Sequence, residues 1–185
     1  MRKFDRNPAT AKEDGEFQSL PIGGYVVKIT AIKDEPSKEY LAIEYDIAEG
    51  EHAGYHAETY QRAKFWGGKM NRSYGEKSQQ YFDGFLTAIE KSNPGYEYDW
   101  NPLSLVGKLV GIVTREREYI STKDGSVRTG QEVAQVRTAS VIRSGDFKLL
   151  PKRELSEADK AKAATTMNAS AGYQEVPIGD AEIPF

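Results

Sequence analysis

"YHAETYQRAKFW" runs from Tyr55 to Trp66, and the period assigned to it decides how the rest of the chain is counted. Taken at period two, it is a strand: Tyr60, Arg62, Lys64 and Trp66 share one face, and Thr59, Ala63 and Phe65 share the other. The first face is basic and aromatic. The second suits the inside of a barrel, and Phe65 is assigned to the core. Gly67-Gly68 then breaks the strand.

Two strands precede it. "PIGGYVVKITAIKDEP" (21–36) enters through Pro and Gly-Gly, runs β-branched, and turns at Asp34-Glu35-Pro36. "KEYLAIEYDIAEG" (38–50) alternates, with Leu41, Ile43, Tyr45 and Ile47 on one face and Tyr40, Glu44 and Asp46 on the other. A helix follows. Ser73 and Glu76 have the spacing of a capping box, and Phe82, Phe85, Leu86 and Ile89 recur at i, i+3, i+4 and i+7 up to "SNPG" (92–95). Residues 104–121 and 130–143 read as two further strands, hinged at Asp124-Gly125.

Five short strands with one helix between the third and the fourth is the layout of an OB-fold, a five-stranded Greek-key barrel. An SH3-like barrel has a similar strand count, but the position of the helix favours the OB-fold. The expected class is therefore all-β with one helix. Residues 1–20 form a polar arm, 21–150 the OB domain, and 151–185 a flexible tail poor in large apolar residues. Ser156 and Asp159 have the spacing to open a short helix within that tail.

Composition narrows the function. The chain has 185 residues, 38% of them hydrophobic and 11% aromatic, with no cysteine, so disulfides, thiol nucleophiles and Cys-ligated zinc are excluded. No apolar run reaches the length of a membrane span, and the first 17 residues lack the apolar stretch of a signal peptide. A cytoplasmic protein without a membrane partner is expected. The net charge of −3 argues weakly against nucleic acid only if it is taken as one number. By segment it is sorted: 59–75 holds Arg62, Lys64, Lys69 and Arg72 without an acid, while 34–51 holds most of the nearby acids.

That acid-free stretch is the candidate nucleic-acid face. Cations neutralise phosphates, and exposed rings stack on unpaired bases. Tyr60, Arg62, Lys64, Trp66, Lys69, Arg72 and Tyr74 form the site, and Lys123 and Arg128 on the hairpin tip extend it. Gly125 and Gly130 have P-loop spacing, but Gln131-Glu132 follows instead of Lys and Ser/Thr, and no helix comes next. His52 and His56 are the only histidines and have no cysteine to join them as metal ligands. The acid pair Glu44/Asp46 is explained by solvation, and no nucleophile–base set stands out. No catalytic site, metal or cofactor is expected.

The last six residues, "DAEIPF", resemble the C-terminal tip of bacterial single-stranded DNA-binding proteins, where acids precede Ile-Pro-Phe at the extreme end. The matching positions are Asp180, Glu182, Ile183, Pro184 and Phe185; Ala181 interrupts the acids. Residues 20–59 are similar to single-stranded DNA-binding proteins encoded by phages of Gram-positive bacteria. The resemblance implies an OB-fold that coats single-stranded DNA, with a tip that recruits replication and recombination proteins of host or phage. Two other functions stay open: an OB-fold module that binds protein or oligosaccharide, and a non-catalytic strand-annealing protein. A homo-oligomer is left open as well.

Overall fold

Strand β2 (Tyr40–Ile47) keeps its alternation residue by residue: Leu41, Ile43, Tyr45 and Ile47 are buried and the residues between them are half-buried. The computed structural model describes residues 19–161. In it, β2 pairs antiparallel with β1 (Gly24–Glu35) on one side and with β3 (Lys69–Ser73) on the other. β1 also pairs with β4 (Leu109–Ile120), and β4 with β5 (Val127–Arg137). The result is one antiparallel sheet in the order β3-β2-β1-β4-β5. The outer strands β3 and β5 do not pair, but both line one cleft.

Helix α2 (Gln79–Ser92) lies in the chain between β3 and β4, as its periodicity predicts, and buries Phe82, Phe85, Leu86, Ala88 and Ile89. These pack against Val27, Ile29, Ile43, Met70, Val110 and Ile112 of the sheet. Each such aliphatic or aromatic side chain contributes about 1.5–3 kcal/mol relative to exposure. Strand pleating sends the neighbouring residues Val26 and Val113 to the opposite face. There they meet Ala139 and Ile142 of a short helix, α3 (Ala139–Ser144). Its close approach needs Gly111, where an added Cβ would stand 2.5 Å from Ile142 Cγ1 and 2.8 Å from the Thr138 carbonyl oxygen. The expected fifth strand through residue 143 therefore ends at Arg137. The fourth starts at Leu109, after a 3-10 turn over Pro102–Leu105.

The largest correction concerns Tyr55–Trp66. Residues Tyr55–Ala63 form a helix, α1, and the third strand is the short segment Lys69–Ser73 downstream. Tyr60, Arg62, Lys64 and Trp66 therefore do not share a strand face. Two features outside the stretch make it helical. Gly54 turns the chain in left-handed conformation (φ 79°), and Asp46 on β2 supplies the N-terminal cap from a distance. Its carboxylate accepts from the backbone N–H of His56 at 2.9 Å and of Ala57 at 3.2 Å, two donors that the first turn of a helix leaves unpaired. Asp46 is thus a cap, where sequence reasoning left it as a solvated acid.

With α1, α2, α3 and a helical segment opening at 157, the described residues hold more than the one helix expected of the domain. The capping-box expectation also fails. Ser73 closes β3, its hydroxyl accepts from the Gly75 N–H at 3.3 Å, and α2 begins only after a 3-10 turn over Glu76–Ser78. Beyond residue 150 the chain stays against the hairpin. Arg153 bonds the backbone of β4 on both sides, its N–H to the Glu116 carbonyl at 2.9 Å and its carbonyl to the Glu118 N–H at 2.8 Å. A helical segment opens at 157, inside the stretch expected to be flexible tail, and Ser156 Oγ accepts from the Asp159 N–H at 3.1 Å. The N-terminal arm up to residue 18 and the tip residues Asp180, Glu182, Ile183, Pro184 and Phe185 lie outside the described residues.

Candidate nucleic-acid interface

Helix α1 and its exit replace the expected strand face with a knot of rings. Tyr60 and Trp66 meet edge to face with centroids 6.2 Å apart, and Lys64 Nζ lies 5.8 Å from the Tyr60 ring. Lys64 itself sits in left-handed conformation (φ 54°) and closes the helix through its N–H to the Tyr60 carbonyl at 2.9 Å. That reversal throws Phe65 outward. It is 66% exposed, so the assignment of Phe65 to the core is overturned, and Tyr60 is 48% exposed. Trp66 is half-buried; its indole N–H donates to the Gly68 carbonyl at 3.1 Å and its ring leans on His56. The exposed rings of the knot are Tyr60 and Phe65, while Trp66 fixes the loop.

His56 packs inside the knot. Its ring is buried, packed against Tyr45, Tyr55 and Trp66, and neither ring nitrogen has a hydrogen-bond partner among the described residues. Burial pushes its pKa below the ordinary 6.5, with the Asp46 carboxylate opposing. The unfolded chain then takes up a proton near pH 6.5 that the folded chain resists, so stability falls as pH drops below that value. His56→Phe should remove this part of the decline. Melting temperatures of both proteins between pH 7.5 and 5 check it, with the variant's curve the flatter one.

On β3 the two predicted cations separate. Lys69 is exposed and pairs with Glu44 across the β2–β3 register at 3.2 Å. Arg72 turns inward beside Met70, with its guanidinium carbon 5.8 Å from the Phe85 ring. Burial lowers its pKa, the nearby Tyr45 hydroxyl opposes, and Tyr45 is itself pushed up to about 12 by burial. Arg72 is therefore no part of an outward face. Tyr74 is engaged elsewhere: its hydroxyl donates to Asp34 Oδ1 at 2.8 Å, a bond that raises its pKa to about 12, and its ring packs on Phe82. On the hairpin tip Lys123 is exposed, and Arg128 pairs with Asp124 at 2.5 Å. Arg62 is exposed on α1.

No protein-family model matches the chain, and no curated protein matches it.

The structure thus gathers Tyr60, Arg62, Lys64, Phe65 and Trp66 on α1 and its exit, with Lys69 three residues on. It leaves Tyr74 and the tip cations apart from that knot. It also adds two cations that sequence reasoning missed. Arg117 on β4 lies over Tyr119, 5.6 Å from its ring, and Arg153 reaches the same region through its bridge to Arg117. They stand 36 residues apart, and no local pattern joins them. Among the described residues no group of three or more His, Asp or Glu is placed to hold a metal ion. No helix there is long and apolar enough to cross a membrane.

Proposed function

We propose that this chain is a single-stranded DNA-binding protein with an OB-fold, of the kind that phages of Gram-positive bacteria encode. It coats exposed strands in a bacterial cytoplasm through backbone electrostatics and base stacking, and it acts without catalysis. One observation carries the reading: the acid-free run 59–75 holds exposed Tyr60 and Phe65 rings among Arg62, Lys64 and Lys69. Rings supply a sequence-tolerant platform and cations follow the phosphates, which is the chemistry of a single-strand site. The sheet order supports the OB-fold. β1 lies at its centre, α2 follows β3, and the edges β3 and β5 face one cleft, as in a partly open five-stranded barrel.

The C-terminal residues Asp180, Glu182, Ile183, Pro184 and Phe185 would be the handle for replication and recombination proteins. A terminal carboxylate beside an apolar ring suits capture in a basic, partly apolar pocket. A second reading, a protein-interaction module, draws on a groove lined by Asp34, Phe82, Asp83, Tyr98 and the exposed Trp100. Acids at that groove repel a nucleic-acid backbone and suit a cationic peptide. Fluorescence anisotropy with labelled single-stranded DNA, duplex DNA and RNA of equal length separates the two readings. The strand-coating reading expects single-stranded DNA to bind at least tenfold more tightly than duplex. Equal binding, or none, would reject it.

A further inference from the structure

The cleft between β3 and β5 encloses about 360 Å³ and carries more positive charge than its own acids neutralise. Lys69 and Arg72 line it from β3, Arg117 from β4, and Arg153 from the segment bridged to β4. Glu132 on β5 is the acid among its lining residues. That half-buried carboxylate is shared three ways: Arg115 at 2.9 Å, Arg153 at 3.2 Å and Arg117 at 3.8 Å. One carboxylate offers two oxygens to three guanidinium groups, each with five N–H donors, so Arg117 and Arg153 keep donors to spare. Both are also accessible, with side chains 41% and 51% exposed.

Arg72 is the odd member. Its Nε is sealed from solvent and has no hydrogen-bond partner among the described residues. One terminal nitrogen reaches only the Met70 sulfur, at 3.7 Å, and a thioether is a weak acceptor. A buried cationic N–H without an acceptor is costly, and where a native chain keeps one, strain, an unplaced water or ion, or a functional role explains it. Arg72 lines the same cleft as the rim arginines, and the cleft's excess of positive charge favours an anion over water as that acceptor.

We propose that this cleft is a phosphate seat, holding one backbone phosphodiester of the bound strand between Arg72 on its floor and Arg117 and Arg153 at its rim. The assignment rests on the strand-binding reading above. Guanidinium groups grip phosphate oxygens in pairs of parallel N–H···O bonds, which a lysine cannot do. Glu132 orients the rim pair and shares it with the phosphate. The seat lies midway along the β4–β5 hairpin, where Arg115 pairs with Glu132 and Arg117 with Gly130, and a strand crossing it continues past Arg117 and Tyr119.

Arginine side-chain NMR tests this, because the orphaned N–H is itself the reporter. In protein labelled with ¹⁵N-arginine, the Arg72 Nε–Hε peak is identified by its loss in Arg72→Lys, or by through-bond correlation if that variant fails to fold. Twelve-nucleotide oligo-dT and inorganic pyrophosphate are then added separately, with anisotropy reporting binding of the oligonucleotide. The expected result is a downfield move of the Arg72 peak with oligo-dT. In Arg117→Ala/Arg153→Ala the move is lost, affinity falls at least tenfold at low salt, and the salt slope flattens by about 0.7 per phosphate released. Oligo-dT that binds while the Arg72 peak stays fixed would overturn the seat and leave strand binding intact. A response to pyrophosphate without any binding of oligo-dT would overturn both the phosphodiester assignment and the strand reading. Silence toward both ligands would likewise overturn both.

Discussion

Replacing Tyr60 and Phe65 together by alanine lowers affinity for single-stranded DNA about a hundredfold and moves the melting temperature by no more than about 2 °C. The affinity loss follows from stacking. Each ring contributes about 1–3 kcal/mol to binding by alanine substitution, and about 1.4 kcal/mol is a factor of ten. The small effect on stability follows from exposure. Both rings lie on α1 or its exit, 48% and 66% exposed, and substitutions at such positions usually change stability by less than about 0.5 kcal/mol. Trp66 would be the weaker test despite its size, since its bond to the Gly68 carbonyl and its contact with His56 mix loop structure into any loss of binding. Anisotropy titrations paired with thermal melts check the prediction. An unchanged affinity would remove α1 from the interface.

Gly68→Ala has the opposite signature, a large loss of stability wherever DNA binds. A Cβ at residue 68 would stand 2.0 Å from the Tyr45 carbonyl oxygen and 2.6 Å from His56 Cδ2. The nearer atom is backbone, so no side-chain rotation relieves the clash. At this point β2, α1 and the start of β3 touch: the Tyr45 N–H donates to the Gly68 carbonyl at 2.9 Å, and that carbonyl also takes the Trp66 indole N–H. Pushing residue 68 away breaks both bonds and loosens the β2–β3 pairing. We expect a cost of about 3 kcal/mol or more, the upper end for overpacking, and a melting temperature about 6–12 °C lower. Circular-dichroism melts measure it directly. Gly67→Ala is the control, because there the nearest atoms to an added Cβ are side-chain atoms at 3.3 Å and beyond.

What could be read from the chain divides along physical lines. β2 and α2 were legible because each has one buried face, and burial imprints its own period on the residues. Leu41, Ile43, Tyr45 and Ile47 repeat at two; Phe82, Phe85, Leu86 and Ile89 follow the helical repeat. Tyr55–Ala63 was not legible, because only His56 and Thr59 are buried, and the Asp46 cap that holds the first turn lies ten residues from His56. β3 offers one buried apolar residue, Met70, and is a strand only because β2 pairs with it. The cations were visible as a charge pattern, yet composition does not say which way a side chain turns. Arg72 faces the Phe85 ring while Lys69, three residues earlier, faces solvent. Arg117 and Arg153 come together only through a bridge between β4 and the segment after residue 150.

The most direct measurement is the salt dependence of oligo-dT binding by the whole chain. With about four phosphates neutralised, the logarithm of the binding constant should fall against the logarithm of salt concentration with a slope near −3. The slope should be shallower in Arg117→Ala/Arg153→Ala and unchanged in Tyr60→Ala/Phe65→Ala, which loses affinity without losing charge. Binding that ignores salt, or no binding at 50 mM salt, would contradict the account.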